Sequence, residues 1–176
     1  ASTGSWTVGH GLDAAPEIVF YKNLDLANAW GVWVTGFTDR DTLYLNLTNA
    51  KTSVGSGTLY GSVPTSTTIG TSSWLANSGN RVIAYCFHSV AGYSKIGSYT
   101  GTGSDLSVNV SFEPAFIMIK CVDNSGSAWF IVDNKRGAGA KGVAKFIEPN
   151  SSGAEFTNAV YGCIFTSTGF TIPGGT

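Results

Sequence analysis

The chain carries one stretch of its own sequence twice, and this repetition constrains the fold more than any motif does. Around Pro16 it reads Pro-Glu-Ile-Val-Phe-Tyr-Lys-Asn-Leu-Asp, and around Pro114 it reads Pro-Ala-Phe-Ile-Met-Ile-Lys-Cys-Val-Asp. Pro, Lys and Asp recur at an offset of 98, Ala29-Trp30 returns as Ala128-Trp129 at 99, and Asn49, Tyr60-Gly61 and 65–67 return as Asn150, Tyr161-Gly162 and 166–168 at 101. Such slow drift is what loop insertions produce.

Each copy reads as a β unit. A proline at the mouth of a strand is tolerated because its missing N–H need not enter the ladder, and the run rich in Ile, Val and Phe behind it suits a buried strand. Residues 25–28 and 123–127 supply turn chemistry before a second aromatic strand, at 30–35 and 129–132. Further strands are expected over 42–47, 81–87, 95–99, 106–112, 143–147 and 159–165, separated by Gly-, Ser- and Asn-rich turns. Gly, Ser and Thr fill about a third of the chain, and no window holds a helical period. The expectation is an all-β protein, one antiparallel β-sandwich with pseudo-symmetric halves at about 10–80 and 108–173. Trp30 and Trp129 would enter a shared core; two tandem small β domains are the alternative. The second copy ends before any counterpart of 81–87. The chain is then a fragment, or the strand comes from residues 6–8 or from a neighbouring chain, and the open edge invites a homo-oligomer.

Composition narrows the function. Ten basic and eleven acidic side chains give a net charge of -1, without the basic excess that holds phosphate, so nucleic acid is not an expected partner. No run approaches the roughly 18 apolar residues of a membrane span, and the first ten residues lack the pattern of a signal peptide. Cys86, Cys121 and Cys163 lie in apolar runs as small hydrophobes. His10 and His88 have no partner at metal-ligand spacing, so neither a metal nor a cofactor is expected. Four Glu, seven Asp and no Gly-x-Ser-x-Gly elbow give no support to an enzyme.

Aromatic faces and loop carboxamides remain, the groups that stack on sugar rings and bond their hydroxyls. The equivalent turns offer Asp25, Asn28, Asp123 and Asn124, although ordinary turn chemistry also places such residues there. Trp33, Trp74 and Tyr93 have no aromatic counterpart in the other copy and are candidates for a surface role.

The repeated Pro-(apolar run)-Lys-x-x-Asp-(turn)-Trp unit resembles a repeat domain of tailed-bacteriophage virion proteins, found in tail fibres and related appendages. So do Ile83-Ala84-Tyr85-Cys86-Phe87, the stretch Tyr93-Ser94-Lys95-Ile96-Gly97-Ser98-Tyr99-Thr100-Gly101, and Asp133-Asn134-Lys135-Arg136. Cys121-Val122 departs from the pattern before Asp123, where a basic and a hydroxylated residue are usual. The resemblance implies a lectin-like or jelly-roll-like sandwich at the virion surface, with other virion chains and host-surface glycan as partners and no catalytic residues. A purely structural decoration or assembly subunit is the alternative, and a trimer follows only by analogy with fibres.

Overall fold

A computed structural model describes residues 4–75 and 79–174. Within them the chain is all-β, with fourteen strands paired antiparallel and no helix. It divides into two compact units, Ala1–Ser89 with Val122–Ser127, and Val90–Cys121 with Ala128–Thr176.

The first unit holds β1 (Ser5–Gly9), β2 (Ile18–Asn23), β3 (Gly31–Val34), β4 (Asp41–Tyr44), β5 (Thr52–Ser53), β6 (Thr68–Ser72) and β7 (Val82–Phe87). Five of these form one sheet in the order β5-β4-β3-β2-β7, and β1 pairs with β6 as a second layer. Alternation along β2 buries Val19, Tyr21 and Asn23. Val19, Tyr21 and Trp33 form the core together with Ile69 of β6 and with Leu59 and Tyr60. A Cβ on Gly70 would stand 2.2 Å from the Tyr60 carbonyl and 2.6 Å from the Ser62 backbone, so only glycine lets β6 lie against residues 60–62.

The second unit holds β8 (Leu106–Asn109), β9 (Phe116–Lys120), β10 (Trp129–Asp133), β11 (Lys145–Phe146), β12 (Phe156–Thr157), β13 (Ile164–Thr166) and β14 (Gly169–Ile172). β14 lies between β13 and β8, β9 pairs with β10, and β11 pairs with β12. Its core joins Ile117, Val132, Phe146 and Phe170, with Phe130 packed edge-on against Phe146 at 5.7 Å.

Several local arrangements recur between the units. Ile18 stands opposite Val34 in the first hairpin, and Phe116 stands opposite Asp133 in the second. Gly9 faces Thr68 and Asn109 faces Gly169 in the outer pairs. The backbone N–H of Trp30 donates to Asn46 Oδ1 at 2.9 Å, and that of Trp129 donates to Asn150 Oδ1 at 2.7 Å. Asn46, rather than Asn49, therefore plays the part of Asn150.

Other expectations are corrected. Each unit has its own hydrophobic cluster and no core is shared; Trp129 is buried, 3% exposed, whereas Trp30 is only half-buried and lies outside the first cluster. The register explains why: Trp33 stands opposite Val19 and shares its core-facing side, whereas Trp30 precedes the strand and stacks on Tyr85 at 6.3 Å. Residues 95–99 form no strand, because Gly97 interrupts the alternation between Gly92 and Gly101. Residues 6–8 complete the first unit through β6 and are not a closing strand for the second. β9 therefore pairs with β10 alone among the described strands, whereas β2 is flanked by β3 and β7.

Asp41 is the one charged side chain buried among the described residues. Its carboxylate accepts from the Ser53 hydroxyl and from the Thr38 N–H and hydroxyl, both at 2.9 Å. These bonds, Ser53 first, hold its pKa below the usual carboxylate range. The folded value being depressed, this contribution is complete above about pH 3.9 and is lost as pH falls through the folded value. Asp41→Asn is expected to lower stability at pH 7 by about 1–3 kcal/mol and to flatten the acid limb of the stability curve, read by denaturant unfolding against pH. Gly70→Ala is expected to cost about 1–3 kcal/mol in the same assay, whereas Gly55→Ala, with open space at its Cβ, changes stability by less than about 0.5 kcal/mol.

Candidate functional site

The two turns offered by the sequence are anchored to different segments. Asn23 Oδ1 accepts from the N–H groups of Asp25 and Leu26, both at 2.9 Å, while its buried amide donates to the Leu75 carbonyl at 2.6 Å. Asp25 receives the Arg81 backbone N–H and guanidinium, both at 2.6 Å, and the guanidinium bond foremost lowers the Asp25 pKa. Its carboxylate clips the turn to the start of β7 and is not held open for a ligand. Asn28 is exposed, and its carbonyl accepts from Lys22 Nζ at 2.5 Å. Asp123 and Asn124 are exposed in a turn tied by Lys51 N–H to the Val122 carbonyl at 2.7 Å and by Gly126 N–H to the Thr48 carbonyl at 2.9 Å.

The aromatic candidates separate as well. Trp33 is buried in the first core, and its surface role is withdrawn. Trp74 is partly exposed, tilted against Tyr44 at 6.4 Å, and borders a shallow groove of about 330 Å³ with Ser5, Thr58 and Ser72. Tyr93 is 81% exposed at the tip of the Val90–Ser94 turn. None of the three meets another candidate.

A different site does assemble, between the two layers of the first unit. A cavity of about 400 Å³ is walled by Trp6 and Val8 of β1, Ile69 and Thr71 of β6, Tyr21 of β2, and Val82, Ala84 and Cys86 of β7. Gly9, His10 and Asn80 complete its edge. Tyr21 is 1% exposed and Thr71 6% exposed, yet neither hydroxyl has a hydrogen-bond partner in the protein. Leaving such a group unsatisfied costs about 1–3 kcal/mol; both oxygens are closed off from the cavity, and Trp33 Nε1 and Arg136 Nη1 are buried in the same way away from it.

The neighbouring groups fix the chemistry. Tyr21 is stacked on Tyr60 with ring centroids 4.8 Å apart, and burial foremost, then Tyr60, raises its pKa far above the phenol range, so the hydroxyl stays neutral. Burial likewise raises the Cys86 pKa, which leaves little thiolate for nucleophilic work. His10 Nδ1 accepts from the Leu12 N–H at 3.1 Å, which leaves the proton on Nε2 for the Thr65 carbonyl at 3.2 Å. Both ring nitrogens are thereby occupied. Trp6 stays 40% exposed and offers an indole face at the cavity wall.

These groups escaped a reading of the sequence because they come from four strands far apart along the chain. Tyr21 passes for one more member of an apolar run, and Thr71 for one of many threonines. One signal was present. The residue equivalent to Tyr21 in the second copy is Ile119, an exchange of the same kind that singled out Trp33 and Trp74.

Neither the curated proteins nor the solved structures yield a match to the chain. A family model described as a domain of unknown function, DUF7483, matches residues 1–174, and the chain belongs to that family.

Proposed function

We propose that the chain is a non-enzymatic virion module, a tail-fibre or appendage domain whose first unit holds host-surface glycan in the cavity between its layers. The observation that carries this reading is the exposed indole of Trp6 on a cavity that also presents the apolar Val82 and Ala84 and the polar Asn80. Sugars present an apolar C–H face and a hydroxyl edge, and such a cavity meets both. No carboxylate lines it, so the paired acids of glycoside hydrolysis are not at hand. The virion setting rests on the sequence resemblance of residues 93–101 and of the repeated hairpins.

A specific observation favours a second, assembly reading. Among the described strands, none pairs with β9 on the side where β2 carries β7, and Phe116 on it is 57% exposed. Strand addition from another chain would satisfy that edge.

Two measurements separate the readings. On a glycan array the full chain is expected to bind a consistent sugar class, and Trp6→Ala to weaken it about tenfold or more, the scale of one aromatic contact. A silent array removes the glycan reading. In sedimentation or light scattering, self-association is expected to grow with concentration and to be suppressed by Phe116→Lys, which puts a charge on the edge. A monodisperse monomer at high concentration removes the assembly reading.

A further inference from the structure

We infer that the first unit holds a second sugar-binding groove, on the other face of the β1–β6 ladder, where Trp74 and the open hydroxyls of Ser5, Ser56 and Ser73 take a ring of a neutral glycan. The inference rests on the glycan reading above and adds to it a site separate from the Trp6 cavity.

Alternation along the ladder separates the two grooves. Trp6 and its partner Thr71 line the first cavity, whereas the neighbouring pair, Ser5 and Ser72, lines the second, of about 330 Å³. Trp74 reaches the second groove from the turn that follows β6. In that turn the Leu75 N–H donates to the Ser72 carbonyl at 3.0 Å and the Trp74 N–H to Ser72 Oγ at 3.3 Å. Leu75 is buried in the first core, and the indole beside it stays exposed. Tyr44 steadies the ring, with centroids 6.4 Å apart, and a Cβ on Gly31 would stand 3.7 Å from its Cζ3. The groove therefore offers an aromatic surface that is fixed in advance, so that binding need not order it.

The hydroxyls divide into those the fold uses and those it leaves open. Thr58 Oγ1 donates to the Asp39 carbonyl at 3.1 Å and accepts from the Gly61 N–H at 2.8 Å, and Ser72 Oγ donates to the Leu59 carbonyl at 2.5 Å. Both belong to the floor of the groove. Among the described residues the hydroxyls of Ser5, Ser56 and Ser73 make no hydrogen bond within the protein, and Ser5 and Ser56 are exposed. Water serves them in the free protein, and a ligand can take its place. The loop that carries Ser56 is anchored, since the Arg40 guanidinium donates to the Val54 carbonyl at 2.7 Å. At the sequence positions that match Ser5 and Ser73, at offsets of 100 and 101, stand Asp105 and Gly174. There the Gly174 N–H donates to Asp105 Oδ1 at 2.7 Å, so the second unit ties together within the chain what the first leaves open.

The class of ligand follows from the lining. No charged side chain borders the groove, so a carboxylate or phosphate would give up hydration without a cation to replace it. A sugar hydroxyl both donates and accepts and matches a serine in either direction, while the C–H face of the ring lies on the indole. The volume is near the small end of the usual ligand-site range of roughly 300–1,000 Å³, room for one or two rings. On a multivalent surface the two grooves act together, and loss of Trp6 then costs avidity as well as its own contact.

The test follows the indole N–H signals of Trp6 and Trp74 by heteronuclear NMR of the full chain, each assigned from its variant, Trp6→Phe or Trp74→Phe. The probes are the methyl glycosides of glucose, galactose and N-acetylglucosamine, with glucuronic acid set beside them. A saturable shift at Trp74 is expected with at least one neutral glycoside, and it persists in Trp6→Ala. Ser56→Ala and Ser73→Ala are each expected to weaken that response about three- to tenfold at an unchanged melting temperature, since neither hydroxyl has a protein partner. A response at Trp6 alone overturns the second groove and leaves the glycan reading standing. A Trp74 response indifferent to both serine variants overturns the assignment of the hydroxyls, and glucuronic acid held there as tightly as a neutral glycoside overturns the ligand class. No response at either indole overturns this inference and the glycan reading together.

Discussion

Most of the first unit depends on how closely β6 can approach residues 60–62. A side chain at position 70 would overlap the Tyr60 and Ser62 backbone, so the absence of a Cβ at Gly70 sets the spacing between the layers. Ser72 fastens the same contact, its hydroxyl donating to the Leu59 carbonyl at 2.5 Å. With residues 60–62 held there, the Tyr60 ring lies on Tyr21, and its hydroxyl meets Thr42 Oγ1 of β4 at 2.5 Å. Gly31 leaves that hydroxyl its room, since a Cβ there would stand 3.0 Å from it. Two glycines and one tyrosine thus join the layers, and β1 follows because it pairs only with β6. The Trp6 wall of the cavity is a consequence of that contact, four strands away in sequence.

The charges act as clips and not as a stabilising network. The Asp25–Arg81 fork ties the first hairpin turn to the entry of β7, with the Arg81 side chain 74% exposed, where screening leaves such a pair a small net value. Asp123, its counterpart, has no β7 equivalent behind it to provide an arginine, and its turn is held instead through backbone bonds to residues 48 and 51. In the second unit Asp133 accepts from the Lys135 and Arg136 N–H groups and pairs with the Arg136 guanidinium at 2.6 Å, closing the turn after β10. The run 133–136 that carries part of the phage resemblance thus closes a turn through Asp133.

How much was legible in the sequence depended on whether a feature was local. The hairpins behind Pro16 and Pro114 stand where the apolar runs placed them, because a strand, a turn and a strand carry their own signal. β6 was not legible: Thr-Ile-Gly-Thr-Ser holds one large apolar residue, and its strand state is imposed by β1 and by the close approach at Gly70. Residues 95–99 erred the other way, since their composition looks like a strand, but Gly97 interrupts the alternation and the stretch joins no ladder among the described strands. Trp30 and Trp33 were exchanged for a similar reason, while Trp129 is buried as expected. Parity along a strand is defined only once the register is known, and Val19 opposite Trp33 settles which indole turns inward.

One strand accounts for the contrast between the units. β7 closes the free side of β2 through six residue pairs and at the same time contributes Val82, Ala84 and Cys86 to the cavity wall. Its presence moves the sheet edge from β2 to β7 and supplies one wall of the recess in one step. In the second unit the β9–β10 hairpin has no such strand beside it among the described strands, and Ile119 and Ile172 stand at the sequence positions that match Tyr21 and Thr71. Both isoleucines pack against the core of the second unit. On the reading proposed above, recognition and assembly are therefore not competing uses of one surface. The cavity lies in the first unit and the β9 edge in the second, so a change at Trp6 and a change at Phe116 act on separate parts of the chain.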